Sequence, residues 1–316
     1  MASPISRRRF IAIAGGATAA AAGSTLMLHR VSASPVGLPI GIQLYSVSKP
    51  YADDPAGTLK ELKAMGYREV ETSPMPKLSA KEQRTLFDVA GLTCPSVHLP
   101  LTAPDLGPAF EDAHTLGAHF TVSSILREFT PEFMKAAKEA MNGGKVTMPE
   151  LPPLGLDGFK KTAALMNEVG RKAKAAGLQY TYHNHNFEFE KMPDGSPGYD
   201  ILLKETDPEL VKFEVDCGWM VVAGSDPVAY FKKYPGRFRM LHIKDFKPTG
   251  KPTIDLTGAG RPQGTDLGTG FVDYKPIFAA AKTAGIEHIF AEQEAPFAVS
   301  QMESAKVDFA YLEKFS

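Results

Sequence analysis

From about residue 34 onward, short apolar runs alternate with longer stretches whose apolar residues recur every three or four positions. The runs have strand length and the stretches have helical period, so the pattern predicts a parallel α/β fold. Eight strands are expected: Ile40–Tyr45, Glu69–Thr72, Thr93–His98, Phe120–Ser124, Gln179–His183, Val211–Asp216, Phe238–Lys244 and Glu287–Glu292. Several helical stretches end at a glycine that leads into the next strand: Met65-Gly66, Ala90-Gly91, Leu116-Gly117, Ala176-Gly177 and Ala284-Gly285. A left-handed residue ends helices in this way. Eight such units, with no second block of different composition, predict one (β/α)8 TIM barrel over residues 34–316 rather than an open doubly wound sheet.

Two segments interrupt the rhythm. Met141–Pro153 reads as an irregular insertion after the fourth strand. Lys247–Gly270, rich in glycine and proline, reads as a flexible lid after the seventh. Both belong at the C-terminal face, where barrels build active sites. Gly258-Ala259-Gly260 carries no dinucleotide fingerprint, because Arg261-Pro262 prevents a clean helix start.

Side chains alternate faces along a strand. Val211, Phe213 and Val215 then face the helices, which points Asp216 inward. Leu241 and Ile243 face out, with His242 and Lys244 inward. Ile289 and Ala291 face out and Glu292 inward. Tyr180 and Tyr182 face out, leaving His183 inward with His185 in phase just beyond. Four neighbouring strands thus end in His183, Asp216, His242 and Glu292 on one inner rim. Imidazole and carboxylate are the ligand set for Mn, Zn, Co or Mg, and gathered carboxylates call for a cation between them. The other strands add Gln43 and Tyr45, Glu71, and His98 as inward polar ends. Gln43, Tyr45, Glu71, His185, Glu188 and Trp219 are the candidates for holding a polyol. Trp219 either stacks on a sugar ring or packs beneath a loop. Glu292, Lys244 and His98 are the candidates for proton transfer.

The segments Gly41-Ile42-Gln43-Leu44-Tyr45, Tyr182-His183-Asn184-His185-Asn186-Phe187-Glu188-Phe189, Asp216-Cys217-Gly218-Trp219, His242-Ile243-Lys244-Asp245 and Glu292-Gln293-Glu294 resemble the xylose isomerase-like barrel superfamily. More narrowly, they resemble its sugar phosphate isomerase/epimerase branch. The resemblance implies metal ligands Glu, Asp, His and Glu on strands five to eight. By position the last three are Asp216, His242 and Glu292, while His183 or His185 stands in place of the first Glu. It further implies isomerase or epimerase chemistry on a sugar or keto-sugar through a metal-stabilised enediolate. Family epimerases use two carboxylates, one on each face of that enediolate. With Glu292 the one obvious base here, a keto-sugar lyase or 3-keto-glycoside-cleaving enzyme is the alternative. A third reading is an exported carbohydrate-binding barrel without turnover.

Composition narrows these readings. The chain has 316 residues and a formal net charge of −1, so no global basic field exists to hold DNA. An endonuclease on this barrel would also need more metal ligands than the rim supplies. The two cysteines, Cys94 and Cys217, fall on opposite sides of the barrel and are expected as free thiols. The first 33 residues read as a twin-arginine signal peptide. Ser6-Arg7-Arg8-Arg9-Phe10-Ile11 precedes an Ala/Gly-rich apolar run and the small residues Val31-Ser32-Ala33. The expected destination is the periplasm, with no membrane anchor after cleavage. Phosphorylated sugars are mostly cytoplasmic, so a free, oxidised or glycosylated sugar is the expected substrate. Homo-oligomers are compatible with the sequence but not required by it.

Overall fold

The computed structural model describes residues 36–72, 78–100, 105–124, 127, 129–141, 148–149 and 152–315. The expected signal peptide and most of the Met141–Pro153 insertion lie outside them. Among the described residues ten strands are present: β1 (Ile40–Gln43), β2 (Glu69–Thr72), β3 (Thr93–His98), β4 (Phe120–Ser124), β5 (Gln179–His183), β6 (Val211–Asp216), β7 (Phe238–Ile243), β8 (Asp245–Phe246), β9 (Gly264–Thr265) and β10 (His288–Ala291). Eight of them close a parallel barrel in the order β1-β10-β7-β6-β5-β4-β3-β2, with helices between successive strands. The (β/α)8 expectation therefore holds. β8 and β9 form a separate antiparallel ribbon at the root of the Lys247–Gly270 excursion.

Helix ends follow the sequence logic. The helix Ala80–Ala90 starts with a Ser79–Glu82 capping box and stops at Gly91, whose φ of 71° lies in the left-handed region. Outward-facing residues of the strands, among them Tyr180, Tyr182, Phe213, Val215, Leu241, Ile243 and Ile289, pack under the helices. Phe120, Val122, Met240 and Phe290 form a separate apolar plug inside the barrel. Each such buried side chain contributes roughly 1.5–3 kcal/mol. The plug separates a Glu69–His288 pair at the N-terminal end from the polar C-terminal end, where the site lies. Cys94 and Cys217 are both buried free thiols, as expected, although Cys217 opens a helix rather than lying on a strand.

The excursion after β7 is pinned at its root. The Asp245 carboxylate accepts from the backbone N–H groups of Phe246, Gly268, Gly270 and Val272 at 2.9–3.1 Å. Farther out, Asn186 Nδ2 donates to the carbonyls of Thr253 and Asp255. Instead of the loose lid expected from its composition, the segment is a tethered cover.

A buried carboxylate nearby gives a stability prediction. Asp308 accepts from Leu267 N at 2.8 Å, and burial pushes its carboxyl up to about 8, with Asp266 and Asp245 adding to the shift. An unfolded aspartate ionises near about 4. Below that pH both states hold the proton and nothing is lost. Between the two values the unfolded state alone gives it up, so stability falls as pH rises and levels off above about 8. Asp308→Asn is expected to leave the melting temperature unchanged at pH 4. At pH 8 it should stabilise by on the order of 2–4 kcal/mol. Thermal melts across pH check this, and equal gains at both pH values would contradict it.

Candidate active site

The rim residues converge. His183 closes β5, Asp216 closes β6, His242 lies on β7, and Glu292 follows β10 directly. Asp216 pairs in register with His242, and His242 with Phe290, which puts Glu292 one inward step above. The donor atoms of His183, Asp216, His242 and Glu292 lie within 4.8 Å of one another. Asp216 is fixed by its own chain: Oδ1 accepts from Trp219 N at 2.8 Å and caps the helix Cys217–Val222. That helix can approach because position 218 is glycine, where a Cβ would sit 2.4 Å from the carbonyl oxygen of Lys244.

Whether these groups suit a divalent cation is tested by Asp216 Oδ2. It is fully buried and makes no hydrogen bond; Lys244 Nζ stands 3.5 Å away and His183 Nε2 4.0 Å away. Burial raises the Asp216 carboxyl despite Lys244 and His183 pulling it down. A dry carboxylate oxygen without a hydrogen bond, facing an imidazole nitrogen, fits a Lewis-acidic ion. Of the two histidines left open by sequence, His183 is the one in the cluster.

Lys244 lies just beyond β7 and is 1% exposed. Its Nζ reaches Glu294 Oε1 at 2.5 Å, Glu292 Oε2 at 2.9 Å and Asp216 Oδ2 at 3.5 Å. Burial would lower this lysine, but Glu292, Glu294 and Asp216 outweigh burial and raise it, so it is an ammonium. Burial would likewise raise Glu292, and Lys244 with His242 reverses that and holds it well below the usual carboxylate range. Arg261, from the cover, pairs with the other oxygen of Glu294.

The remaining candidates divide into two groups. Gln43 and Glu71 are buried behind the metal-ligand candidates. Glu71 accepts from Gln43 Nε2 at 2.8 Å, Ser96 Oγ at 2.5 Å, His98 Nε2 at 3.1 Å and His242 Nε2 at 2.6 Å. Its polar capacity is taken up by the protein. Glu188 is fully buried too, accepting from Tyr182 Oη and His185 N, and burial pushes it up to about 8. Trp219 is also fully buried, 4.5 Å from the Phe246 ring and 5.3 Å below Lys244 Nζ, so of its two expected roles the structure shows packing. His185 and Tyr45 belong to the second group. His185 lines a cavity of about 380 Å³ with Phe133, Leu256, Arg261 and Glu294. Burial drives it well below the usual histidine range, and no hydrogen bond reaches its Nδ1. Tyr45, expected inward on an extended first strand, instead sits in a 3-10 turn with 58% of its surface exposed.

His98 sits at the edge of the barrel end. Burial would lower it, but Glu71 and Glu214 push it up to about 10. Glu214 is the residue that sequence reasoning missed. Fully buried, it lies 3.0 Å from His183 Nδ1, 3.3 Å from His242 Nε2 and 3.6 Å from His98 Nε2. The alternation Lys212-Phe213-Glu214-Val215-Asp216 already put it in the inward phase.

With the geometry known, similarity to other proteins becomes informative. Inosose dehydratase of Lacticaseibacillus casei is 28% identical over 152 residues, 45% of this chain and 49% of that protein. The chain spans about half the length of the curated relatives it matches. A Parabacteroides distasonis sugar phosphate isomerase/epimerase superposes with a TM-score of 0.66 at 24% identity, covering 87% of this chain and 93% of that one. A Mycobacterium smegmatis xylose isomerase-like TIM barrel protein, solved in complex with magnesium, gives 0.58 at 17% identity, covering 89% and 97%. These two structures bear on the fold alone. The family model described as xylose isomerase-like TIM barrel matches residues 59–314, and the chain belongs to that family.

Proposed function

We propose that this chain is a metal-dependent enzyme that removes the proton beside the carbonyl of a keto-sugar or cyclic polyol ketone and then eliminates the neighbouring oxygen substituent. The observation that carries the reading is the convergence of His183, Asp216, His242 and Glu292 within 4.8 Å, with Asp216 Oδ2 buried and making no hydrogen bond. These four would hold a divalent ion (Mn, Zn, Co or Mg), which supplies Lewis-acid polarisation of a ketone and its adjacent hydroxyl when bound.

The protein's own groups divide the proton work. Glu292 has a 10% exposed side chain, against 3% for His183 and none for Asp216 or His242, so it is the member of the set that substrate can reach. It is the base. Lys244, an ammonium 2.9 Å from Glu292 Oε2, delivers a proton to the departing oxygen. His185, Arg261 and Glu294 line the cavity in which the rest of the substrate lies.

Inverting a carbon without elimination takes a base on each face. Here a histidine stands where the family pattern has a second carboxylate, which favours one-base chemistry. Similarity to dehydratases supports elimination as the outcome. Isomerisation is the second reading, favoured by the same lone base: Glu292 would return its proton to the adjacent carbon on the same face. The twin-arginine pattern Ser6-Arg7-Arg8-Arg9-Phe10-Ile11 in the sequence supports reading the chain as a periplasmic enzyme with a substrate without phosphate.

The experiment is an NMR time course in D2O with 3-keto-glucosides, a cyclic polyol ketone and ketohexoses as substrates. Elimination is expected, seen as release of water or an aglycone with a new C=C. Deuterium entering an intact sugar would establish isomerisation instead. Chelation is expected to abolish turnover by about 10²-fold or more, with recovery on adding a divalent ion. Unchanged turnover in the chelated protein would defeat the proposal.

A further inference from the structure

We infer that Glu214 and Glu71 are positioning residues that force the two histidine ligands into opposite tautomers, so that His183 presents Nε2 and His242 presents Nδ1 to the cation. The inference rests on the preceding reading that a divalent ion occupies the site.

Each imidazole has two nitrogens, and in the neutral ring one is a donor and the other a lone pair. His183 turns Nδ1 to Glu214 Oε2 at 3.0 Å and Nε2 toward Asp216 Oδ2 at 4.0 Å. His242 has the reverse orientation: Nε2 meets Glu71 Oε2 at 2.6 Å, while Nδ1 meets Glu292 Oε2 at 2.8 Å. Glu71 and Glu214 are both fully buried, so neither can turn to water for a donor. Each keeps the proton on the ring nitrogen facing it. A bound ion then displaces any proton from the far nitrogen and takes its lone pair, on the side of Asp216 and Glu292. His98, with Nε2 3.1 Å from Glu71 and 3.6 Å from Glu214, supplies positive charge shared by this buried pair.

A competing placement exists, because His98, His183, Glu214 and His242 also bring donor atoms within 4.8 Å. In that lower set Glu214 Oε2 meets His183, His242 and His98 at 3.0, 3.3 and 3.6 Å. The upper set offers a dication two carboxylates, Asp216 and Glu292, where the lower set offers Glu214 alone. One ring cannot serve both sets without losing the proton that its carboxylate holds, and the charge of the two carboxylates favours the upper set.

The test uses the full chain labelled with ¹⁵N-histidine and loaded with Zn²⁺, which is diamagnetic. Two-bond ¹H–¹⁵N spectra are expected to show a protonated Nδ1 with zinc on Nε2 for His183, and the reverse for His242. Glu214→Gln and Glu71→Gln are each expected to weaken zinc binding by about 10–100-fold in a chelator competition, with Glu214→Asp recovering part of the loss. The spectra require only the wild-type protein, so they decide the matter even if a variant fails to fold. Zinc on the same nitrogen of both rings, on the lower-facing nitrogens, or held with wild-type affinity in both Gln variants would overturn the inference. A wild-type chain that takes up no divalent ion would overturn the proposed function itself, and that result is read before any variant is compared.

Discussion

Glu292→Gln is expected to lower turnover by about 10³-fold or more while leaving a folded protein. The amide has nearly the same volume and keeps an oxygen for His242 Nδ1 and Lys244 Nζ, now 2.8 and 2.9 Å from Oε2. What disappears is the negative charge that draws in a cation and accepts the substrate proton. The two roles separate by measurement. Metal content reports the ligand role, and exchange of the proton beside the ketone with D2O reports the base. If Glu292 only held the ion, saturating metal would restore exchange. If it is the base, exchange stays lost in the loaded variant, and that is the expected outcome. Wild-type exchange in the loaded variant would remove Glu292 from the chemistry.

The particular residues show what the sequence made legible. β2 through β6 begin and end where the apolar alternation predicted, because each is bounded by turn chemistry and packs an outward row under helices. The first, seventh and eighth barrel strands stop short at Gln43, Ile243 and Ala291. Their last predicted residues lie where the chain leaves the barrel, and alternation fails there. For Lys244 and Glu292 the inward direction survives that step. For Tyr45 it does not, because the backbone turns at Leu44. Depth was the property that alternation could not supply. Gln43, Glu71, Glu214, Asp216 and His242 all point inward, but which form the metal cluster and which lie behind it depends on inter-strand register. Glu214 pairs with His183 and Met240, and Asp216 pairs with His242, so the two carboxylates of one strand serve different levels. The stagger that closes a barrel sets that offset, and it belongs to no single strand.

Lys244→Met carries the largest expected effect on the protein without a bound ion. Methionine fills the volume of the stem above Trp219, so packing is largely kept. The loss is the ammonium that meets Glu294 Oε1 at 2.5 Å, Glu292 Oε2 at 2.9 Å and Asp216 Oδ2 at 3.5 Å. Removing one member of a buried ion cluster costs about 3–5 kcal/mol, because the carboxylates left behind stay dry and lose a counter-charge. The pH dependence has a definite sign. Burial already raises the Asp216 carboxyl and Lys244 is the main group opposing that rise, so without the ammonium its folded-state value climbs further above the unfolded one, and stability is lost as pH increases through it. The deficit against wild type is therefore expected to be larger at pH 8 than at pH 5. A divalent ion brings charge to two of these carboxylates, Asp216 and Glu292, so saturating Zn²⁺ or Mn²⁺ should raise the melting temperature of Lys244→Met more than that of wild type. Turnover should not return with stability, since an ion does not replace the proton donated at Nζ, and a deficit of about 10²–10⁴-fold is expected to persist. Melts at the two pH values, with and without ion, separate charge balance from catalysis. Full recovery of turnover on adding metal would show that Lys244 acts only through charge.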